Sequence, residues 1–348
     1  PVYDWFFHEP FHSIFLGVTT SLSLFSNGLL LYIVATTQST HIGPYRYLLA
    51  VFAACDVTTA IGHAAVQPVS NFYMHLTPTG FYFFPRHAEN IIITESFDTV
   101  FCLFFIATYY QTFLILAYHF IYRYKTVTSG VSRSFTDGWS MRHWVWTGIV
   151  VYVLYIAGFV GICAIAFTPT DNSRYHRTNV PSEILDIYGI DLSDQRTGFT
   201  VISVKQWDSS LGSWEVHLPS ILGLVLLLSL FGGTASAIVF CIYKTNAAIR
   251  SSDNHLTAKT RKMQMGLFRA LLIQTAIPCL FSYAPLATTL VFPAVSGISL
   301  GAFGNVLFSI TAIFPSIDAF FVLYFIARFR TAVIRLFRLP INTSVSSS

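Results

Sequence analysis

Apolar residues gather into seven long stretches, separated by shorter polar or basic segments. The stretches cover residues 11–36, 45–69, 91–123, 143–167, 214–243, 266–292 and 298–326. A hydrocarbon core about 30 Å thick asks for about 20 mostly apolar residues in helical conformation. In lipid, backbone N–H and C=O groups must be satisfied internally, so these stretches predict helices rather than isolated strands. The expected fold is an all-α membrane protein: a seven-transmembrane helix bundle forming one domain over 1–326. A lid is expected over 168–213, between the fourth and fifth spans, and a tail over 327–348.

Basic residues sort between the two ends of these spans. The segments after spans one, three and five, with the tail, hold 15 of the 20 Lys and Arg residues. The opposite side holds Arg86, Arg174, Arg177, Arg196 and Lys205. Positive residues near span ends stay cytoplasmic, which predicts an extracellular N-terminus and a cytoplasmic C-terminus. The lid is acidic, with Asp171, Glu183, Asp186, Asp191 and Asp194 among its residues. Residues before Phe11 lack a positive n-region, so the first span is expected to act as its own insertion signal.

Composition narrows the class. Mean hydropathy is +0.60 and charged residues are 10%, against about 25% in soluble domains. The net charge of +4, placed on the cytoplasmic side, points to anionic lipid or a cytoplasmic partner and not to nucleic acid. Cys55, Cys102, Cys163, Cys241 and Cys279 all fall in predicted spans. A disulfide from span three to the lid is therefore impossible, and the thiols are expected to pack as small hydrophobes. The string His8-Glu9-Pro10-Phe11-His12 fits the spacing of a zinc-protease helix. Pro10 starts the helix and leaves His8 outside it, so an interfacial helix start is the better reading. No cofactor, metal or enzymatic activity is expected. The Asn342-Thr343-Ser344 sequon falls on the predicted cytoplasmic side, where it stays unmodified.

Polar residues inside spans are expensive and mark function or a specific partner. Asn27, Asp56 and Asp318 fall at one depth, about 12–17 Å from the inner boundary. They predict a buried cluster in which one Asp is protonated or a cation is shared, because two nearby carboxylates do not both ionise cheaply. The competing reading is a static clamp between helices, worth about 1 kcal/mol. His63 and His119 are expected to pack through hydrogen bonds. Pro278 in span six and Pro315 in span seven are expected to kink their helices. Arg123 closes span three, either as an activation switch or as an ordinary positive-inside anchor.

Four stretches together carry a resemblance. Ile42-Gly43-Pro44-Tyr45-Arg46-Tyr47-Leu48-Leu49 opens span two, and Phe120-Ile121-Tyr122-Arg123-Tyr124 closes span three. Residues 264–278 enter span six, ending in Thr275-Ala276-Ile277-Pro278. Phe314-Pro315-Ser316-Ile317-Asp318-Ala319-Phe320 lies in span seven, followed by Ala327-Arg328-Phe329-Arg330. Over nearly its whole length the chain resembles the nematode serpentine chemoreceptors of the Str type, with the Srj and Srd classes as close relatives. The resemblance implies an olfactory-type receptor coupled to a heterotrimeric G protein in the plasma membrane of sensory cilia. It departs from the broader rhodopsin-like pattern in three places. Tyr122-Arg123-Tyr124 stands for Asp-Arg-Tyr, Pro315-Ser316-Ile317-Asp318 stands for Asn-Pro-x-x-Tyr, and the lid disulfide is missing.

On this reading a small, mostly apolar ligand, of a kind that includes volatile molecules, binds one bundle arrangement better than another and shifts the population. By depth, the ligand-facing set is Phe101, Phe105, Thr108 and Tyr109 of span three. Tyr283 of span six and Asn305 and Phe308 of span seven face them. Arg123, Lys125, Lys259, Arg261, Lys262 and Arg328 are expected to meet the G protein, although a role as lipid-facing topology signals needs no partner. The rivals are a seven-span ligand-gated cation channel, whose inverted orientation the basic residues oppose, and a transporter, which calls for repeats or broken paired helices.

Overall fold

The greater part of each apolar stretch lies in helix, and the segments on the lid side hold strands as well. The computed structural model describes residues 11–36, 45–66, 70–87, 94–128, 138–169, 175–250 and 258–337. Its helices are α1 (Phe11–Thr36), α2 (Tyr45–Val66), α3 (Glu95–Thr128), α4 (Met141–Ala166) and a short α5 (Ser182–Tyr188). There follow α6 (Leu218–Arg250), α7 (Ala258–Pro278), a π-helical turn (Cys279–Tyr283), α8 (Ala284–Ser296), α9 (Phe303–Phe325) and α10 (Ala327–Leu336). The strands are β1 (Ser70–Leu76), β2 (Gly80–His87), β3 (Thr200–Ser203), β4 (Lys205–Asp208) and β5 (Ser213–Val216).

Five segments among the described residues are long and apolar enough to cross a membrane: α1 from Gly17, α3, α4, α6, and Gln264–Phe281 of α7 and its π turn. With α2 and α9 they make the seven-helix bundle. Helix α3 is the central member and packs against α2, α4, α6 and α7, while α1 bridges α2 and α9. One apolar cluster joins Leu30, Leu49, Leu267, Val322 and Phe329; a second joins Phe113, Phe120, Ile238, Leu271 and Tyr283.

Several helices run past the hydrophobic boundaries. Helix α3 continues beyond Arg123 to Thr128, where the Thr126 and Thr128 hydroxyls donate back to the Tyr122 and Tyr124 carbonyls at 2.7 and 2.8 Å. A helix has no reason to end where hydrocarbon ends if its backbone bonds continue. Helix α6 begins at Leu218, because Trp214 already belongs to β5. The seventh helix begins at Phe303, because Gly297 and Gly301 take left-handed φ values of 71° and 50° and turn the chain first. Pro278 leads not into a simple kink but into the π turn, which ends one residue before Ala284 starts α8.

The lid is larger than the expected segment 168–213. Strands β1, β2 and β3 form one antiparallel sheet in that order, so the segment between the second and third spans joins the later lid. Tyr82 pairs with His75 on one side and Val201 on the other. The period-2 alternation of a strand sends neighbouring side chains to opposite faces. Phe72, Met74, Leu76 and Phe83 pack on Cys102, Phe101 and Phe105 of α3. Tyr73, Tyr82 and Phe84 pack on Tyr175, Tyr188 and Phe199 of the lid. The β1–β2 hairpin is thus buried on both faces, between bundle and lid.

Candidate ligand and signalling sites

Three residues of the expected ligand-facing set meet the hairpin. The Phe105 ring lies 4.1 Å from that of Phe72 and 6.4 Å from that of Phe83, and Phe101 joins the same cluster. Asn305 is fully buried. Its Oδ1 accepts the Met74 backbone N–H at 2.6 Å, and its Nδ2 donates to the Tyr188 hydroxyl at 2.9 Å. One amide of α9 therefore holds both the hairpin and α5. Thr108 donates to the Phe105 carbonyl at 2.9 Å. Tyr283 sits deeper, 5.1 Å from Phe113 and 5.3 Å from Phe231, ring to ring. The side chains of Tyr109 and Phe308 lie outside the described residues.

A polar clasp joins the lid to α3 with no covalent bond. All five cysteines are free. Glu95 and Asp98 stand in the first turn of α3, where carboxylates suit the helix dipole. Asp98 is buried; its Oδ2 accepts the Gly198 N–H at 3.1 Å, and its Oδ1 lies 2.8 Å from His87 Nε2 of β2. Arg177 pairs with Glu95 and donates to the carbonyls of Leu192, Asp194 and Thr197 at 3.2, 2.9 and 2.8 Å. Its guanidinium also stands 5.2 Å from the Phe199 ring centre. Gly198 leaves no room for a side chain, because an added Cβ would meet the Glu95 carbonyl and sit 2.7 Å from Asp98 Cβ.

His75 of β1 is fully buried, and neither ring nitrogen has a hydrogen-bond partner among the described residues. Burial pulls its pKa down to about 4. The Glu183 carboxylate of α5, 3.6 Å away, would favour the charged ring. That carboxylate is 61% exposed, so water screens it and burial dominates. Tyr188 packs edge-on to the His75 ring at 5.9 Å; burial pushes its phenol upward, so it stays neutral.

In the middle of the bundle, Asn27, Asp56 and Asp318 are all buried, on α1, α2 and α9. Asp56 and Asp318 interact electrostatically. Gln274 of α7, which carried no weight in the sequence reading of this cluster, donates to Asp318 Oδ2 at 3.2 Å. Asp56 Oδ2 and Asp318 Oδ1 have no hydrogen-bond partner among the described residues. Asn27 turns its amide back to the Ser23 carbonyl at 3.1 Å. A second network was also missed: Gln111 of α3 donates to Thr59 of α2 at 2.5 Å and accepts from Tyr152 of α4 at 2.6 Å. His119 bonds the Leu48 carbonyl at 3.1 Å, a packing role. The side chains of His63 and Pro315 lie outside the described residues.

At the basic end the expected partner contacts divide. Arg123 is buried, at 3% exposure, and is not presented on the surface. Arg261 donates Nε to the Ile249 carbonyl at 2.6 Å and also bonds the Arg250 carbonyl, capping the end of α6. Its charge suits the negative end of that helix. Lys262 and Arg328 are exposed and Lys125 is half-buried. The Lys259 side chain lies outside the described residues. Helix α10 buries Phe329 while Arg328 and Arg330 stay exposed.

Comparison with known proteins places this arrangement. The family described as serpentine type 7TM GPCR chemoreceptor Str matches residues 12–334. Serpentine receptor class r-10 of Caenorhabditis briggsae is 24% identical, covering 94% of this chain and 91% of its own. G-protein coupled receptor str-33 of Caenorhabditis elegans is 21% identical, covering 90% and 87%. Among solved structures, squid rhodopsin superposes with a TM-score of 0.57 at 12% identity, over 96% of this chain and 86% of that one.

Proposed function

The chain belongs to the Str family of serpentine seven-transmembrane chemoreceptors, and from that premise we propose that it binds a small, mostly apolar ligand beneath its lid and activates a heterotrimeric G protein at its basic end. The N-terminus and lid face outward and the basic end faces the cytoplasm, since 15 of 20 Lys and Arg residues lie at that end. The working site is the plasma membrane of a sensory cilium, and the ligand is an odorant-type molecule. One observation carries the reading. The β1–β2 hairpin and Asn305 connect the lid directly to α9, and α9 carries Asp318 into the centre of the bundle.

A ligand that binds under the hairpin favours the bundle arrangement that fits it. Displacing the hairpin pulls on Asn305 and so on α9. The carboxylate pair, with one donor from Gln274 for Asp318, is the element with two available arrangements. The π turn after Pro278 lets the basic half of span six swing, since such turns interrupt the regular helical ladder. That motion uncovers Arg123, with Lys125, Lys262 and Arg328 around it, for the G protein. The test is a ligand panel on cells expressing the full chain, read through G-protein activation. Wild type is expected to respond to at least one small apolar compound. Arg123→Ala is expected to reach the surface in equal amount and lose that response; normal signalling by Arg123→Ala would remove its role in coupling.

A further inference from the structure

The β4–β5 hairpin presents an apolar face that is exposed among the described residues. Trp207 and Trp214 are direct cross-strand partners, with ring centres 5.6 Å apart. Both are exposed, and so are Val216 on the same face and Leu211 in the turn. On the other face, Gln206 is buried in the lid, where its Oε1 accepts the His176 N–H at 3.3 Å. Strand alternation therefore aims the two indoles away from the lid. The Asn179 side chain fixes them there, accepting from the Trp207 N–H at 2.6 Å and donating to its carbonyl at 3.2 Å. A lone two-stranded hairpin is marginal in water, and exposed paired tryptophans make it a liability there.

Its position supplies the missing partner. Only His217 separates β5 from α6, and His217 is pinned: its N–H donates to the Val204 carbonyl at 3.2 Å and its ring contacts the Ser220 hydroxyl at 2.8 Å. Helix α6 is apolar from its first residue, with Leu218, Leu222 and Leu226 exposed on its flank. Its polar overhang lies at the other end, around Lys244 and Arg250. The hydrocarbon boundary on the lid side thus falls at the start of α6. Trp214 stands within about 13 Å of that point along an extended chain. Tryptophan favours this headgroup level, and Lys205, beside Val216 on the same face, can extend its ammonium to lipid phosphate.

We propose that the β4–β5 hairpin is a membrane anchor of the lid, with its Trp207–Trp214 face seated in the headgroup–acyl boundary of the lid-side leaflet. The exposed side chains come just before the exposed leucines that open α6, and this nearness to an apolar helix is what favours lipid over a protein partner. The test uses the full chain in nanodiscs whose lipids carry bromine near the headgroup end of the acyl chains. The emission that Trp207→Phe/Trp214→Phe removes from wild type is the signal of this pair. That component is expected to lose most of its intensity to brominated lipid and little to aqueous iodide. Quenching by iodide without quenching by bromine would place the hairpin in water and overturn the proposal. Protection from both would show a protein cover, such as a second copy, and overturn it equally. If the double variant fails to fold, Trp207→Phe and Trp214→Phe taken singly yield the same difference.

Discussion

Asp98 and Asp318 are both buried carboxylates on bundle helices, yet their surroundings oppose each other. Asp98 sits at a helix start, with a backbone N–H on one oxygen and a histidine beside the other. Asp318 lies mid-helix with one amide donor, a second carboxylate as its electrostatic neighbour, and one oxygen without a partner. One oxygen of each carboxylate lacks a partner of hydrogen-bond geometry among the described residues. The difference is that a histidine stands 2.8 Å from that oxygen of Asp98, whereas the neighbour of Asp318 is a second carboxylate. Like groups that do not both ionise cheaply favour an exchange of partners. The lid clasp is therefore the rigid member of the comparison, and the mid-bundle pair is the element suited to switching. The clasp also pins the lid to α3 through hydrogen bonds and charge, so its strength responds to salt rather than to reductant.

The sharpest way to break the comparison is at Gly198. Gly198→Ala drives a Cβ against the backbone and Asp98 Cβ of α3. Overpacking of this kind is expected to cost about 3 kcal/mol. Thermal unfolding and surface level should both fall, and reductant should leave wild type unaffected. A Gly198→Ala protein as stable as wild type would show that the lid does not depend on this contact.

Acid is expected to have a smaller effect, through His75. Its folded pKa of about 4 lies below the ordinary 6.5, so between these values the unfolded chain binds more protons than the folded one. The His75 contribution is therefore complete above about pH 6.5 and is lost as pH falls toward about 4. Discounted for the attraction of Glu183, the loss is about 2 kcal/mol. His75→Gln, which cannot gain the proton, should flatten the pH profile of lid protection in hydrogen exchange. An equally steep profile in that variant would assign the acid response to another group.

The smallest effect on stability is expected in the middle of the bundle. Asp318→Asn keeps an acceptor for Gln274 and removes the charge facing Asp56, so stability should change by less than about 1 kcal/mol. The effect should appear instead in the ligand dose–response at equal surface level. An unchanged response would leave Asn27, Asp56 and Asp318 as a static clamp.

Much of the bundle was legible because its signals are local. Long apolar runs mark membrane helices one at a time, and an intramembrane Asp announces itself within its own span. The β1–β2 hairpin was not recognised, although Phe72, Met74 and Leu76 alternate before Thr77-Pro78-Thr79-Gly80, a turn signal between two aromatic runs. Both of its faces are apolar, so it reads as a continuous hydrophobic stretch rather than as a half-buried strand. Asn305 was expected to face a ligand, and its amide is held by Met74 and Tyr188, far away in the chain. Arg261 was expected to meet the G protein, and its guanidinium donates to the carbonyls that end α6.

By itself the sequence determined which segments carry the long bundle helices and that no disulfide holds the lid, because hydropathy and cysteine position are properties of single segments. Only the tertiary structure decided what closes the lid side of the bundle. Asp98 meets Gly198 across 100 residues, and Phe72 meets Phe105 across two elements. Such pairings depend on how the elements pack, and neither side carries a local mark of its partner.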